Sequence, residues 1–475
     1  MTETSEIPVV EFQPAPSTWR ARSEPPDDEQ LARWRSGTRR ALGFAPDAVI
    51  VATGHQAQIW HPGILAKDLA VASIVASFRD RNLSTHPLHF IADHDANDGG
   101  LVSYPTREFG RGGWRMLPTP DGRSLRDRSP SHPTAPPNDA LDLPGVIEGL
   151  RTIHAAVADH AGADDLSSQL GLAAAGLARP FTGEIPRRSM SKLLETPVGL
   201  GLLEAIARDP DACITAHDAA IEADRHARAT GAGRLPRAVA RPLRRGDIEE
   251  LPLWRSTPDG RRPVRRGETL DPVTCRPRAL LATALARLGG CDLFVHGLGG
   301  GRYDRAMEAW ITAWLGSATA AALAPATIAT ATLRLPITTE HPAEHPAEHP
   351  AENPAEGSTD HASGSTPEGL HRLQSDPDLG REGPARRGAL LSAIDAAPRR
   401  STARRAAFDA FRAEVQAART RGRDEIDRYR DQLDQDADRR RARKVASDRT
   451  WPFPLHEGSA LSALTDAVRS SFIPA

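Results

Sequence analysis

The sequence predicts an α/β protein built on a parallel sheet. Three observations carry this: a short apolar run at Val49-Ile50-Val51-Ala52, a second at Leu88 to Ala92, and a helical period between them. Runs of this length bounded by turn signals suit strands buried on both faces, and strand, helix, strand in one such span is a βαβ unit with a right-handed crossover.

Residues 1–45, rich in proline, arginine and acidic side chains, read as an N-terminal extension with one amphipathic run, Asp28 to Leu42, that forms a surface helix. The first strand follows, bounded by Pro46 and Gly54. Leu65, Leu69, Ala72, Val75 and Phe78 then recur at helical spacing from Ile64 to Phe78, after Pro62 and Gly63. Gly110 to Pro144, dense in glycine, proline, arginine and serine, reads as a long excursion from the sheet. Helical patches follow at Ile147 to Ala178 and at Met190 to Arg228, the latter interrupted by Pro197 and Pro210. Arg276 to Leu288 is a helix candidate leading into a strand at Asp292 to His296, a glycine-rich turn at Gly297-Leu298-Gly299-Gly300-Gly301, and a helix from Tyr303 to Leu315. The core with its connecting inserts is therefore placed at 46–337.

From Thr338 to Arg386 apolar periodicity is absent, and His341 to Glu356 repeats HPAE three times before drifting to NPAE. Proline at every fourth residue forbids both helix and central strand, so 338–386 is read as a disordered linker and its histidines as low complexity, not ligands. Phe408, Phe411, Val415, Ala418 and Gly422, then Ile426, Tyr429 and Leu433, step in threes and fours, which predicts a coiled-coil arm over 387–447 with Gly422 as its weak point. In the tail, 448–475, the apolar and rigid Trp451-Pro452-Phe453-Pro454-Leu455 is expected to dock on the core.

The 475 residues allow two or three domains. A formal net charge of −2 excludes the global basic surplus of a nucleic-acid coat. Three scattered cysteines, Cys213, Cys275 and Cys291, fit free core thiols in a reducing cytoplasm, and with no basic or apolar run in MTETSEIPVVEF and no long apolar stretch, neither a signal peptide nor a membrane span is expected. A cytoplasmic protein acting on small molecules is the expectation. Lysine occurs only at 67, 192 and 444. Lys67 alone lies within a motif, and a flexible ammonium does chemistry that a guanidinium does not.

In an open α/β sheet, ligands sit outside the carboxyl ends of the strands. Thr53, Gly54, His55 and Gln56 follow one strand, with His61, Pro62 and Gly63 close behind at a helix start, where backbone N–H groups and the helix dipole favour an anion. Asp93, His94, Asp95 and Asp98 follow the other. Crowded carboxylates raise one another's pKa, so one of them is a candidate acid or base near neutrality, and with Asn97 the group also suits a hard cation such as magnesium or manganese. The glycines from 297 to 301 permit close backbone approach, although Arg302 breaks the GxGxxG pattern of dinucleotide sites.

These blocks in this order resemble the cysteine ligases of bacillithiol synthesis, the BshC-like family. TGHQ followed by HPGILAK is similar to the family's TGQQ with its later Gly-Pro and lysine; Ala92-Asp93-His94-Asp95 is similar to GEDHD; Arg276-Pro277 and His296 to Gly300 stand where the family has Arg-Pro and GGPGE; Phe453-Pro454 and Gly458 echo its terminal peptide. The chain departs from the pattern at His55 for glutamine, Leu298 for proline and Gly300 for an acid. The resemblance implies a Rossmann-like core with helical inserts, a coiled-coil arm that mediates homodimers, and joining of a cysteine carboxyl to the amine of an amino sugar. It implies His94 with Asp95, and Asp93 and His55, as catalytic groups. Substrate binding falls to Thr53, Gly54, Gln56, His61, Lys67, Asp98, Arg276, His296, Gly297, Gly299 and Gly300. No residue is assigned to a metal, and the cofactor stays open between a nucleotide such as ATP and a divalent cation. Two other readings stand beside this one: a metal-dependent hydrolase or transferase using His55, His61, Asp93, His94 and Asp95 as ligands, and a non-catalytic partner-binding protein built around the arm.

Overall fold

The computed structural model describes residues 8–472 except 23, 25, 82, 230–239, 338–369 and 371–383. Its elements in chain order begin with β1 (Val9–Gln13), α1 (Glu29–Ala41), β2 (Val49–Gln56), α2 (Pro62–Arg79), β3 (Thr85–Ala92), β4 (Leu101–Pro105) and β5 (Arg111–Arg115). There follow α3 (Pro144–Asp159), α4 (Leu166–Thr182), β6 (Arg187–Ser189), α5 (Pro197–Arg208), α6 (Pro210–Ala229), β7 (Arg244–Arg245), β8 (Ile248–Thr257), β9 (Gly260–Arg265) and β10 (Cys275–Pro277). Next come α7 (Ala279–Leu285), β11 (Leu293–His296), α8 (Gly301–Leu315), α9 (Ser317–Ala321) and β12 (Ala326–Thr332). The last helices are α10 (Pro384–Ala396), α11 (Thr402–Arg421), α12 (Arg423–Ser447) and α13 (Gly458–Ser470). The fold is mixed α/β with a cluster of long C-terminal helices, and it divides into two compact units, Met1–Pro336 with Asp448–Ala475, and Ile337–Ser447.

The central sheet of the first unit runs β1-β12-β11-β2-β3-β6. All its neighbours are parallel except β1, which pairs antiparallel with β12 at the edge. From β2 the chain moves outward through β3 to β6; β11 and β12 are added on the other side, so the order reverses between β2 and β11. Strand alternation separates two faces. Ile50, Ala52, Leu88, Phe90 and Phe294 enter a core cluster with Leu202, Leu281 and Trp310. Thr53 and His89 turn the other way, toward α2, which packs on β2, β3 and β12 and is itself covered by α4 and α13. A buried helix face should be apolar, and every buried residue of α2 is, apart from Lys67 and Asp68.

The first 45 residues are more than an extension. β1 completes the sheet, and α1 turns Leu31, Arg35, Thr38 and Arg39 inward instead of lying on the surface. Arg35 and Arg39 both donate to Asp292, just before β11, and the Ile50 amide donates to the same carboxylate at 2.8 Å. The excursion after Gly110 contains β5, which pairs with β4. Glycine makes that pairing possible: a Cβ at Gly112 would lie 2.3 Å from the Tyr104 ring. Arg276 and Pro277 belong to β10, paired with Trp254 and Leu253 of β8, and the helix predicted from Arg276 begins only at Ala279. β10, β8 and β7, with β9 on β8, form a second, antiparallel sheet. All three cysteines are buried and free.

The HPAE repeat lies outside the described residues; within the stretch read as linker, Pro384 already begins α10. In the second unit α10 packs on α11, and the backbone leaves helical geometry at Gly422, between α11 and α12. In the first unit the tail folds back on the core: the Phe453 amide donates to the Trp60 carbonyl at 2.7 Å. Among the described residues no helix is long and apolar enough to cross a membrane.

Candidate functional site

At the end of β2, Thr53 Oγ1 donates to the Val295 carbonyl at 2.7 Å and ties the strand to β11. Gly54 follows where a Cβ would lie 3.0 Å from the Phe90 carbonyl, and its own carbonyl accepts from Lys67 Nζ at 2.6 Å. Burial, with Arg187 nearby, draws Lys67 down to about 8 against the opposing pull of Asp68. Burial also holds His55 well below its ordinary value, and Lys67 adds to the effect, so the imidazole is neutral. Gln56 Nε2 donates to Asp95 Oδ2 at 2.7 Å, and Gln58 Oε1 accepts from Asn97 Nδ2 at 3.5 Å. The polar ends of β2 and β3 are therefore laced together side chain to side chain.

The acids after β3 have three different employments. Asp93 is fully buried, accepts from the Ser189 hydroxyl and from the Ser191 amide at 2.9 Å, and lies 3.8 Å from Arg126, so its carboxylate anchors β6 and the turn after it. Asp98 pairs with Arg115 of β5 through both oxygens, at 3.0 and 2.6 Å. Asp95 remains partly open, 3.9 Å from His94 Nε2 and 3.6 Å from Arg261 Nη1. Burial would raise its pKa, but His94, the Gln56 hydrogen bond and Arg261 outweigh that and hold it below the usual carboxylate range. Crowding among these carboxylates thus does not raise Asp95, contrary to expectation, because each acid has its own cationic or hydrogen-bonding partner. His94 is buried, with its carbonyl accepting from Arg261 at 2.6 Å and its Nδ1 meeting no described partner.

His61 caps α2: its Nδ1 accepts from the Gly63 amide at 3.1 Å, and burial, Arg449 and Lys67 hold it down to about 4. At the end of β11, His296 Nε2 lies 2.8 Å from Asp304 Oδ2, off the line of a regular hydrogen bond. A Cβ on Gly300 would fall 2.2 Å from His296 Nδ1, whereas Gly299 has open space around it and Gly297 lies beside the Lys67 stem. Gly300→Ala is accordingly expected to cost about 1–3 kcal/mol by overpacking the ring, read as a lower urea midpoint; an unchanged midpoint would show that the turn simply shifts. Arg276 belongs elsewhere: it is buried in β10, donating to Asp127 at 2.8 Å and to the Val273 carbonyl at 2.6 Å.

Several residues that the sequence did not single out complete the region. Asp68 of α2 accepts from His89 Nδ1 and Arg187 Nη2, each at 2.7 Å, and Trp60 stacks on His89 with the Arg187 guanidinium over its ring. Arg261 reaches the His94–Asp95 turn from β9, its guanidinium lying over Trp254. Among the described residues no three His, Cys, Asp or Glu side chains are grouped so as to hold a metal ion. The set His55, His61, Asp93, His94 and Asp95 therefore does not assemble as ligands: Asp93 is spent on Ser189 and Ser191, and His61 on its cap. No family model and no curated protein matches this chain.

Proposed function

We propose that this chain is a cysteine-ligase-like enzyme of low-molecular-weight thiol synthesis, forming an amide between a cysteine carboxyl and the amine of an amino sugar on a Rossmann-like core. The observation that carries the reading is the pairing of the two strand ends, joined by Gln56 and Asp95, beside Lys67 at the point where strand order reverses. Such a reversal is where open α/β sheets bind ligands.

The amine attacks the activated acyl carbon; the C–N bond forms as the C–O bond to the leaving group breaks, and the ammonium proton passes to a base. His94 is the candidate base, with Asp95 kept anionic beside it to stabilise the imidazolium. The Lys67 ammonium faces the developing oxyanion. Activation of the carboxyl calls for a nucleotide such as ATP, which would place a phosphoryl or nucleotidyl leaving group on the carboxyl oxygen; a divalent cation would serve beside it by holding the phosphates. The same reading takes α11 and α12 as a coiled-coil arm that pairs two copies, and places the protein in the cytoplasm.

Incubation with cysteine, an amino-sugar conjugate and ATP with magnesium, followed by mass spectrometry, is expected to yield the amide. His94→Asn should lower the rate about 10²- to 10⁴-fold without altering the melting temperature. Absence of any amide across a panel of amines and nucleotides overturns the assignment.

A further inference from the structure

Between α2 and the sheet lies a charge imbalance. Lys67, Asp68 and the Arg187 side chain are 2%, 0% and 7% exposed. Asp68 spends one oxygen on His89 and the other on Arg187. Among the described residues, the acceptor of the Lys67 ammonium is the neutral carbonyl of Gly54, and Arg187 Nε and Nη1 are buried without a partner. Burial, opposed by Asp68, holds His89 to about 4, so it adds no charge near neutrality. Two buried cations thus share one carboxylate. A dry interior does not tolerate an uncompensated charge, which must be paired or lost.

The side on which compensation can arrive is that of the carboxyl ends of β2 and β11. Gly54 and Gly297 flank Lys67 there and are only half-buried, and a Cβ on Gly297 would already lie 3.7 Å from Lys67 Cδ. Gly299, with nothing within 4 Å of its missing Cβ, leaves the adjoining turn open.

We propose that an oxyanion of the ligand, a carboxylate or a phosphoryl group, seats on Lys67 between the Gly54 and Gly297 turns and supplies the charge that the Lys67–Asp68–Arg187 cluster lacks. The inference rests on the reading of this crevice as the ligand site, but not on the reaction assigned to it.

The chain's three lysines make the test direct. In protein carrying ¹³C-labelled lysine, K192R and K444R assign the Lys67 signal. Inorganic phosphate or acetate, added against chloride at matched ionic strength, should shift that signal saturably and move its titration to higher pH. The arm that saturates at lower concentration tells phosphoryl from carboxylate. Arg187→Gln, which removes the surplus charge, should weaken this binding roughly tenfold, and Lys67→Met should abolish anion-dependent thermal stabilisation. A Lys67 signal that neither anion moves overturns the proposal even if the variants fail to fold, as does equal stabilisation of wild type and Lys67→Met. A Lys67 response in protein that makes no amide keeps the seat and discards the ligase. Amide formation with an unmoved Lys67 does the reverse.

Discussion

Asp292→Ala is expected to remove about 3–5 kcal/mol of folding stability, the range for stripping one partner from a buried ion pair. The Asp292 carboxylate takes hydrogen bonds from Arg35, Arg39 and the Ile50 amide, and its carbonyl accepts from the Arg22 amide at 2.9 Å. It joins the N-terminal segment to two central strands. Arg39 is 1% exposed, and burial already lowers its pKa despite Asp292, so an Arg39 left alone would stand as an uncompensated charge in the core. Asp292→Asn keeps an acceptor for Ile50 and should fall between wild type and alanine. Replacing Arg35, Arg39 and Asp292 together by leucine or methionine should recover much of the loss, because apolar side chains of similar volume need no compensation. Urea midpoints decide it: a loss under about 1 kcal/mol for Asp292→Ala, the range of an exposed pair, would mean that this cluster does not hold α1 to the sheet.

That cluster also shows what was legible in the sequence. β2, β3 and α2 announce themselves because they are buried on both faces, and burial on both faces writes continuous apolar runs or a clear helical period. α1 is legible as a helix but not as a buried one, since its inward face carries arginines whose partner lies more than 250 residues away, at separations of 257 and 253. β8 and β9 are masked in the same way: their stretch from Trp254 to Arg266 is mostly arginine, proline and turn residues, and the strands hold through antiparallel pairing and guanidinium stacking on Trp254. Residue type singled out two strand ends that do lie side by side, but not what each side chain there holds. Asp93 and His61 look like chemistry in sequence, yet one anchors β6 and the other caps α2. Asp68, His89 and Arg187 look like nothing in sequence. His89 sits in an apolar strand, Asp68 in a helix, and their meeting with Arg187 spans separations of 21 and 119 residues, which only the fold brings together.

Buried imidazoles are also expected to make the protein lose stability to acid above the range in which carboxylates titrate. Burial is the first cause at His89, where Asp68 opposes it and Arg187 reinforces it, and the first cause at His456; both are held to about 4 against an ordinary 6.5. A histidine with a depressed folded pKa stays neutral in the native state while the unfolded chain takes up a proton. Its stabilising contribution is therefore present above the ordinary value and is lost as pH falls from there toward the folded value. Each of these two, at 0% and 4% exposure, should cost up to about 2 kcal/mol between about pH 7 and about pH 5. His61, also held to about 4, adds in the same direction. Asp68 acts lower still: Arg187 and His89 overcome the effect of burial and hold its carboxyl far below the usual range, so its contribution is lost progressively as pH falls from the ordinary carboxylate value toward that depressed one. Urea midpoints measured across this interval should fall steadily with pH, and His456→Gln, which removes one titrating ring without touching the Lys67–Asp68–Arg187 cluster, should flatten the slope by about one proton's share. A midpoint constant from about pH 7 to about pH 5 would show that these rings are reached by protons in the native state.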